Sequence, residues 1–182
     1  MELTAEVIKQ YHLEQAQAET LEEKQELFLR MVRNYKDFAV LQHRKMWIWI
    51  AQQYAKGSKA ELDFLKRKYI MEHCYGAHIR SHCFCCEYSL SQKGILNMCE
   101  SCPIQWHYDG CCDDESEYET LIVYIDDYTC IRYNISRYLA SDNFIPKKYY
   151  AMLRKETKLK HKVVKLAYKI SQLPERKEEN EN

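Results

Sequence analysis

The residues best equipped for chemistry in this chain are cysteines. Cys83-x2-Cys86 is followed, after twelve intervening residues, by Cys99-x2-Cys102. Two residues between cysteines let both thiolates of a turn face one ion, and two such turns complete the tetrahedron that Zn2+ prefers. Cys83, Cys86, Cys99 and Cys102 are therefore the expected ligands. Cys85 competes with Cys86 within Cys83-Phe-Cys-Cys86, and Cys111, Cys112 and His107 lie near enough in sequence to replace a member of either pair. A full set of four cysteines leaves no position open for a substrate water, so the expected zinc is structural, not catalytic.

Other uses of these residues fit less well. Deaminase-type zinc needs a His-x-Glu partnered with Pro-Cys-x2-Cys, a combination absent here. A redox dithiol at Cys83 and Cys86 would sit at a helix start within alternating strands and helices, and the chain lacks that alternation. No pattern specifies a nucleophile, a base and an oxyanion donor together, so no enzyme is expected.

The elements that must position the cysteines are helices. Four glycines and three prolines in 182 residues provide too few turns for a many-stranded sandwich or barrel. Thr4 precedes an amphipathic stretch to about residue 17, and Thr20-Leu-Glu-Glu23 is a capping box opening a helix over 21–35. A helix carrying Phe38 to Tyr54 stops at Gly57, and Ser58-Lys-Ala-Glu61 is a second capping box, predicting a helix to about Met71. Trp47 and Trp49 lie about 200° apart on their helix. That marks a central helix buried on two sides, or one Trp exposed as an interface anchor.

Residues 73–113 hold eight of the nine cysteines and lose helical periodicity, so a metal would there replace an apolar core. In 117–140, apolar and aromatic spacings of three, four and seven favour helix over strand. Pro146 then opens a long helix, 147–173, that Pro174 ends. The expected fold is mainly α: one helical domain with an irregular zinc-bound central region. Its parts are N-terminal helices over 1–73, a zinc knuckle region over 74–113, C-terminal helices over 114–173 packed on the first, and a disordered tail over 174–182.

Composition narrows the partners. Twenty-seven basic and 27 acidic residues cancel, so no global field draws the chain to nucleic acid or to a membrane surface. No apolar run approaches bilayer length and the N-terminus carries no export signal, so a cytoplasmic protein with reduced thiols and no membrane partner is expected. Charge is nevertheless segregated. Asp109 to Ile131 holds eight acids and no Lys or Arg, whereas Lys147 to Ile170 holds nine bases against Glu156 alone. With Tyr149, Tyr150 and Tyr168 as neighbours, that basic helix could track phosphates through Lys158, Lys162 and Lys165. The plainer reading, favoured by zero net charge, is a solvated helix face balanced by the acidic segment beside it.

Several short motifs, in order, carry a resemblance. They are Lys45-Met-Trp47-Ile-Trp49-Ile-Ala51, Cys83-Phe-Cys-Cys86-Glu-Tyr88, Cys99-Glu-Ser-Cys102-Pro-Ile104 followed by Trp106 and Cys111-Cys112, and Ala167-Tyr-Lys-Ile170-Ser-Gln-Leu-Pro174. Over roughly 45–174 the chain resembles small uncharacterised bacteriophage proteins; the first 40 residues and the 115–150 stretch depart from the pattern. The resemblance implies a viral product acting in the host cytoplasm and supports zinc, but implies no activity. A non-enzymatic protein that engages a host factor, such as a defence protein or its signalling nucleotide, is the expected function. Nucleic-acid binding through 147–169 is the alternative, and oligomeric state is left open.

Overall fold

A computed structural model describes residues 1–94, 99, 101–107, 110–141 and 144–177, apart from the side chain of Ser81. Among these, seven α-helices form the architecture: α1 (Ala5–Gln17), α2 (Leu21–Asn34), α3 (Lys36–Ala55), α4 (Leu62–His73), α5 (Phe84–Lys93), α6 (Glu117–Leu139) and α7 (Pro146–Ser171). No β-strand occurs among the described residues, and none of their helices is long and apolar enough to cross a membrane.

The caps explain the early boundaries. Thr4 Oγ1 accepts from Val7 N at 3.3 Å to start α1. At α2 the box closes both ways: Thr20 Oγ1 accepts from Glu23 N at 3.1 Å, while Glu23 Oε2 accepts from Thr20 N at 3.0 Å and Glu19 N at 2.8 Å. The hydrogen bonds from Thr20 N and Glu19 N hold the Glu23 carboxyl below its ordinary value of 4.5. Because the folded value is the lower one, this contribution is complete above that ordinary value and lost as pH falls through the folded one. A Glu23→Gln chain keeps the acceptor but not the charge. Urea unfolding from about pH 6 to pH 3 should therefore show the gap between wild type and variant closing as pH falls.

Ser58 does not start α4. Its Oγ accepts from Ala60 N at 3.2 Å in a local turn, and the helix begins four residues later, at Leu62, with no side-chain cap. Four apolar or aromatic residues of α4, Leu62, Leu65, Tyr69 and Ile70, are buried, and tertiary packing sets this start.

The centre is α3. Phe38, Ala39, Val40, His43, Met46, Trp47, Ile50, Ala51 and Tyr54 are all buried, so the helix is covered on more than one face. Trp47 meets Tyr118 of α6 edge-on at 6.0 Å, whereas Trp49 packs on Tyr69 and His73 of α4 at 5.7 and 5.9 Å. This is the two-sided core helix, not an exposed anchor. α6 and α7 form an antiparallel hairpin whose second helix returns along α3. Contacts between them run in reverse order: Glu117 with Lys169, Tyr124 with Lys162, Arg132 with Glu156, Tyr138 with Lys148. Each fully buried side chain the size of Phe84, Met46, Ile50 or Val32 contributes roughly 1.5–3 kcal/mol.

The middle is less irregular than expected. α5 occupies ten of its residues, and Phe84, Ile104 and Trp106 join the same core as the flanking helices. Nor is the tail free from 174 onward. Glu175 forms an isolated antiparallel bridge with Ile104; Gln105 N donates to Pro174 O and Arg176 N to Pro103 O, both at 2.8 Å. The backbone here gains partners that the charged composition alone does not suggest. Residues 178–182, the rest of the expected disordered tail, lie outside the described residues.

Candidate metal centre and contact surfaces

The start of α5 builds the cysteine site. Cys83 is the residue before the first helical position and Cys86 lies in the first turn, where the partial positive charge of a helix N-terminus favours thiolate. The segments around Cys99 and Cys111 close over it. Gly110 permits that approach, since a β-carbon there would come within 3.3 Å of Cys99 Cβ. The result is a cavity of about 110 Å3 whose wall includes Cys83, Cys86, Cys99, Cys111 and Cys112.

Three of the four expected ligands, Cys83, Cys86 and Cys99, therefore reach one cavity. Cys102 is turned toward Cys85, and both are buried. Cys111 and Cys112 also line the cavity, their sulfurs 3.7 Å apart. His107 is exposed, and its Nδ1 pairs with Glu117 Oε1. All nine cysteines are unbridged.

Crowding divides these thiols into acceptors and donors. Hydrogen bonds from Cys85 and Cys86, aided by His43, hold Cys83 well below the ordinary thiol range against the effect of burial. Cys86, which bonds to Cys111 and Cys83, is pushed far up. Cys111 is lowered by Cys86, Cys102 is lowered by Cys85, and the charge of Cys111 pushes Cys112 up to about 12. Burial raises Cys85 and Cys99. Like charges this close cannot all ionise unless a cation joins them. The donor set is sulfur with one imidazole, which suits zinc. Among the described residues no group of three or more His, Cys, Asp or Glu is placed to hold a metal ion.

Polar side chains outside the cysteine motifs, those of His43, Lys66 and Tyr118, also line the cavity, with Met46, Trp47 and Trp106. His43, 1% exposed on α3, places Nδ1 3.8 Å from Cys83 Sγ, while its Nε2 is buried without a hydrogen-bond partner. Lys66 of α4, 4% exposed, donates to the Tyr118 hydroxyl at 2.7 Å and lies 4.3 Å from that ring's centre. Sequence spacing gave no direct sign of His43, Lys66 and Tyr118, which lie on three different helices. The nearest signal is that His43 and Trp47 are four apart and share a helix face.

A second feature is on the surface. At the turn of the α6–α7 hairpin, Tyr138, Phe144, Tyr149 and Tyr150 form a run of tilted rings with successive centroids 5.9, 5.5 and 5.6 Å apart. Phe144, Ile145 and Tyr150 are exposed, and Lys148 sits 5.0 Å from the Tyr138 ring. The Tyr138 hydroxyl accepts from Ile145 N at 2.7 Å, tying the turn to α6. Farther along α7, Lys158, Lys162 and Lys165 are all exposed. Lys162 lies 4.7 Å from the Tyr124 ring, and among the described residues Lys158 and Lys165 enter no ion pair.

No protein-family model, curated protein or solved structure matches the chain.

Sequence spacing found the cysteines but not what backs them. Glu87, the acid of Cys83-x2-Cys86-Glu87, is 2% exposed. Its Oε1 accepts from Arg33 Nε at 2.8 Å and its Oε2 from Arg80 N at 2.9 Å. One carboxylate thus joins α2, α5 and the 3-10 turn Arg80–His82 just below the cysteines.

Proposed function

We propose that the chain is a non-enzymatic binding protein, stabilised by structural zinc at the cysteine cavity, that presents the turn of the α6–α7 hairpin to a host protein. The observation that carries the binding role is the exposed aromatic run from Tyr138 to Tyr150 with Lys148 against it. Exposed aromatic side chains beside cations are the groups from which interface anchors are drawn. The phage-like motifs support a host partner, such as a defence component or its signalling nucleotide. Zinc's part is to fix the cysteine segments against α3, α4 and α6, and cytoplasmic thiols suit that role.

Phe144 and Tyr150 are exposed, so a Phe144→Ala, Tyr150→Ala chain should fold with the wild-type urea midpoint. Affinity capture from host cells should then show a partner retained by wild type and lost by the double variant. Equal capture by both chains would remove the hairpin turn from the proposal. Lys158 and Lys165, exposed and in no ion pair among the described residues, favour a second reading, in which α7 tracks nucleic-acid phosphates. Lys158→Glu, Lys162→Glu and Lys165→Glu together would then abolish low-salt binding to DNA and RNA. Unchanged binding ends that reading.

A further inference from the structure

We infer that the centre has three thiolates and one imidazole, with His43 Nδ1 as its nitrogen ligand beside Cys83, Cys86 and Cys111, and with Lys66 as its counter-charge. The inference rests on the zinc reading and changes which residues serve it. A tetrahedral zinc with Zn–S near 2.3 Å and Zn–N near 2.0–2.1 Å spaces its nitrogen and sulfur roughly 3.6 Å apart. His43 Nδ1 and Cys83 Sγ already lie 3.8 Å apart. From Cys83 the contacts continue to Cys86 and from Cys86 to Cys111, so the four donors form one connected set along a single cavity wall. Cys102 lies off that path, against Cys85.

Charge separates this set from four cysteines. Zinc with three thiolates and a neutral imidazole carries one negative charge; with four thiolates it carries two. The same cavity contains one buried ammonium, Lys66, bonded to a phenol, and among the described residues no carboxylate pairs with it. A charge buried this deeply requires an opposite one nearby. The mixed sulfur and nitrogen centre and Lys66 cancel, whereas a centre of four thiolates leaves a charge over. The imidazole is suited to the role. It is nearly inaccessible, one nitrogen faces a thiol, and its ring is held edge-on between Trp47 and Trp106, with centroids 6.1 and 6.3 Å away; ligation at Nδ1 fixes the proton on Nε2.

The test uses the full-length chain loaded with Co2+ or Zn2+. Wild type should give the ligand-field bands of a tetrahedral cobalt with three thiolates and one nitrogen. Cys99→Ser and Cys102→Ser should leave that spectrum in place. His43→Ala should change it and weaken zinc binding at least tenfold, with Lys66→Met weakening it about tenfold. In the zinc-loaded wild type, which needs no substitution in the core, the 15N signal of His43 Nδ1 should move to the range of a metal-bound nitrogen. A four-thiolate cobalt spectrum, or a His43 15N signal unchanged by zinc, overturns the inference and leaves structural zinc standing. A wild-type chain that takes up neither ion overturns both.

Discussion

A Cys86→Ser chain is expected to lose its zinc and to unfold at a markedly lower urea concentration than wild type. Cys86 lies in the first turn of α5, and its thiol meets those of both Cys83 and Cys111. Structural zinc in finger peptides provides about 10–16 kcal/mol of apparent binding free energy, most of which appears there as folding. Here α3, α6 and α7 share an apolar core that includes Cys85 and Cys102 but extends well beyond the cysteine segments, so the loss should be partial and local. Helical circular dichroism should fall little, while proteolysis near Cys99 and Cys111 rises steeply. Metal analysis of protein purified without added zinc should give about one zinc per wild-type chain and almost none for the variant. A metal-free wild type with the variant's unfolding midpoint would sink the zinc reading.

The second large effect belongs to Glu87. Glu87→Ala is expected to cost about 1–3 kcal/mol, the usual consequence of removing a buried acceptor from its donors. Arg33 is 40% exposed and can turn to water, which limits the penalty on that partner. The Arg80 N–H loses its acceptor along a 2.9 Å bond, so most of the cost falls on that donor. Glu87→Gln keeps an acceptor for one of the two donors and should cost less than alanine. Equilibrium urea unfolding of the three chains checks the order, and a Glu87→Ala loss below about 1 kcal/mol would contradict it.

Most of the helical fold was legible because its signals are local. Thr20 and Glu23 act on each other across three residues, and the α6 stripe of Leu121, Ile125, Tyr128, Ile131 and Ile135 is buried as its spacing implies. Where the reading missed, a distant group had taken over a local one. Ser58 and Glu61 have the letters of a cap, yet α4 begins where Leu62 and Leu65 can be buried. The cysteine-rich stretch lacks an amphipathic period because α5 is buried on its N-terminal turn by Phe84, Cys85, Cys86 and Glu87 in succession. Cysteine spacing pointed to the stretch of chain that walls the cavity. His43 and Lys66, 40 and 17 residues before Cys83, enter it only through the packing of α3 and α4. No one-dimensional pattern contains that information.

The clasp between Pro103–Gln105 and Pro174–Arg176 gives the fold an order in time. Arg176 reaches the Cys99 carbonyl across 77 residues of chain, and Arg44 of α3 pairs with Glu175 at 3.3 Å. Synthesis delivers Cys99 and Cys102 well before the residues that latch their segment down. Completion of α7 and the stretch after it then supplies the backbone partners of Pro103 and Gln105, so this segment gains its last hydrogen bonds only when the chain is nearly finished.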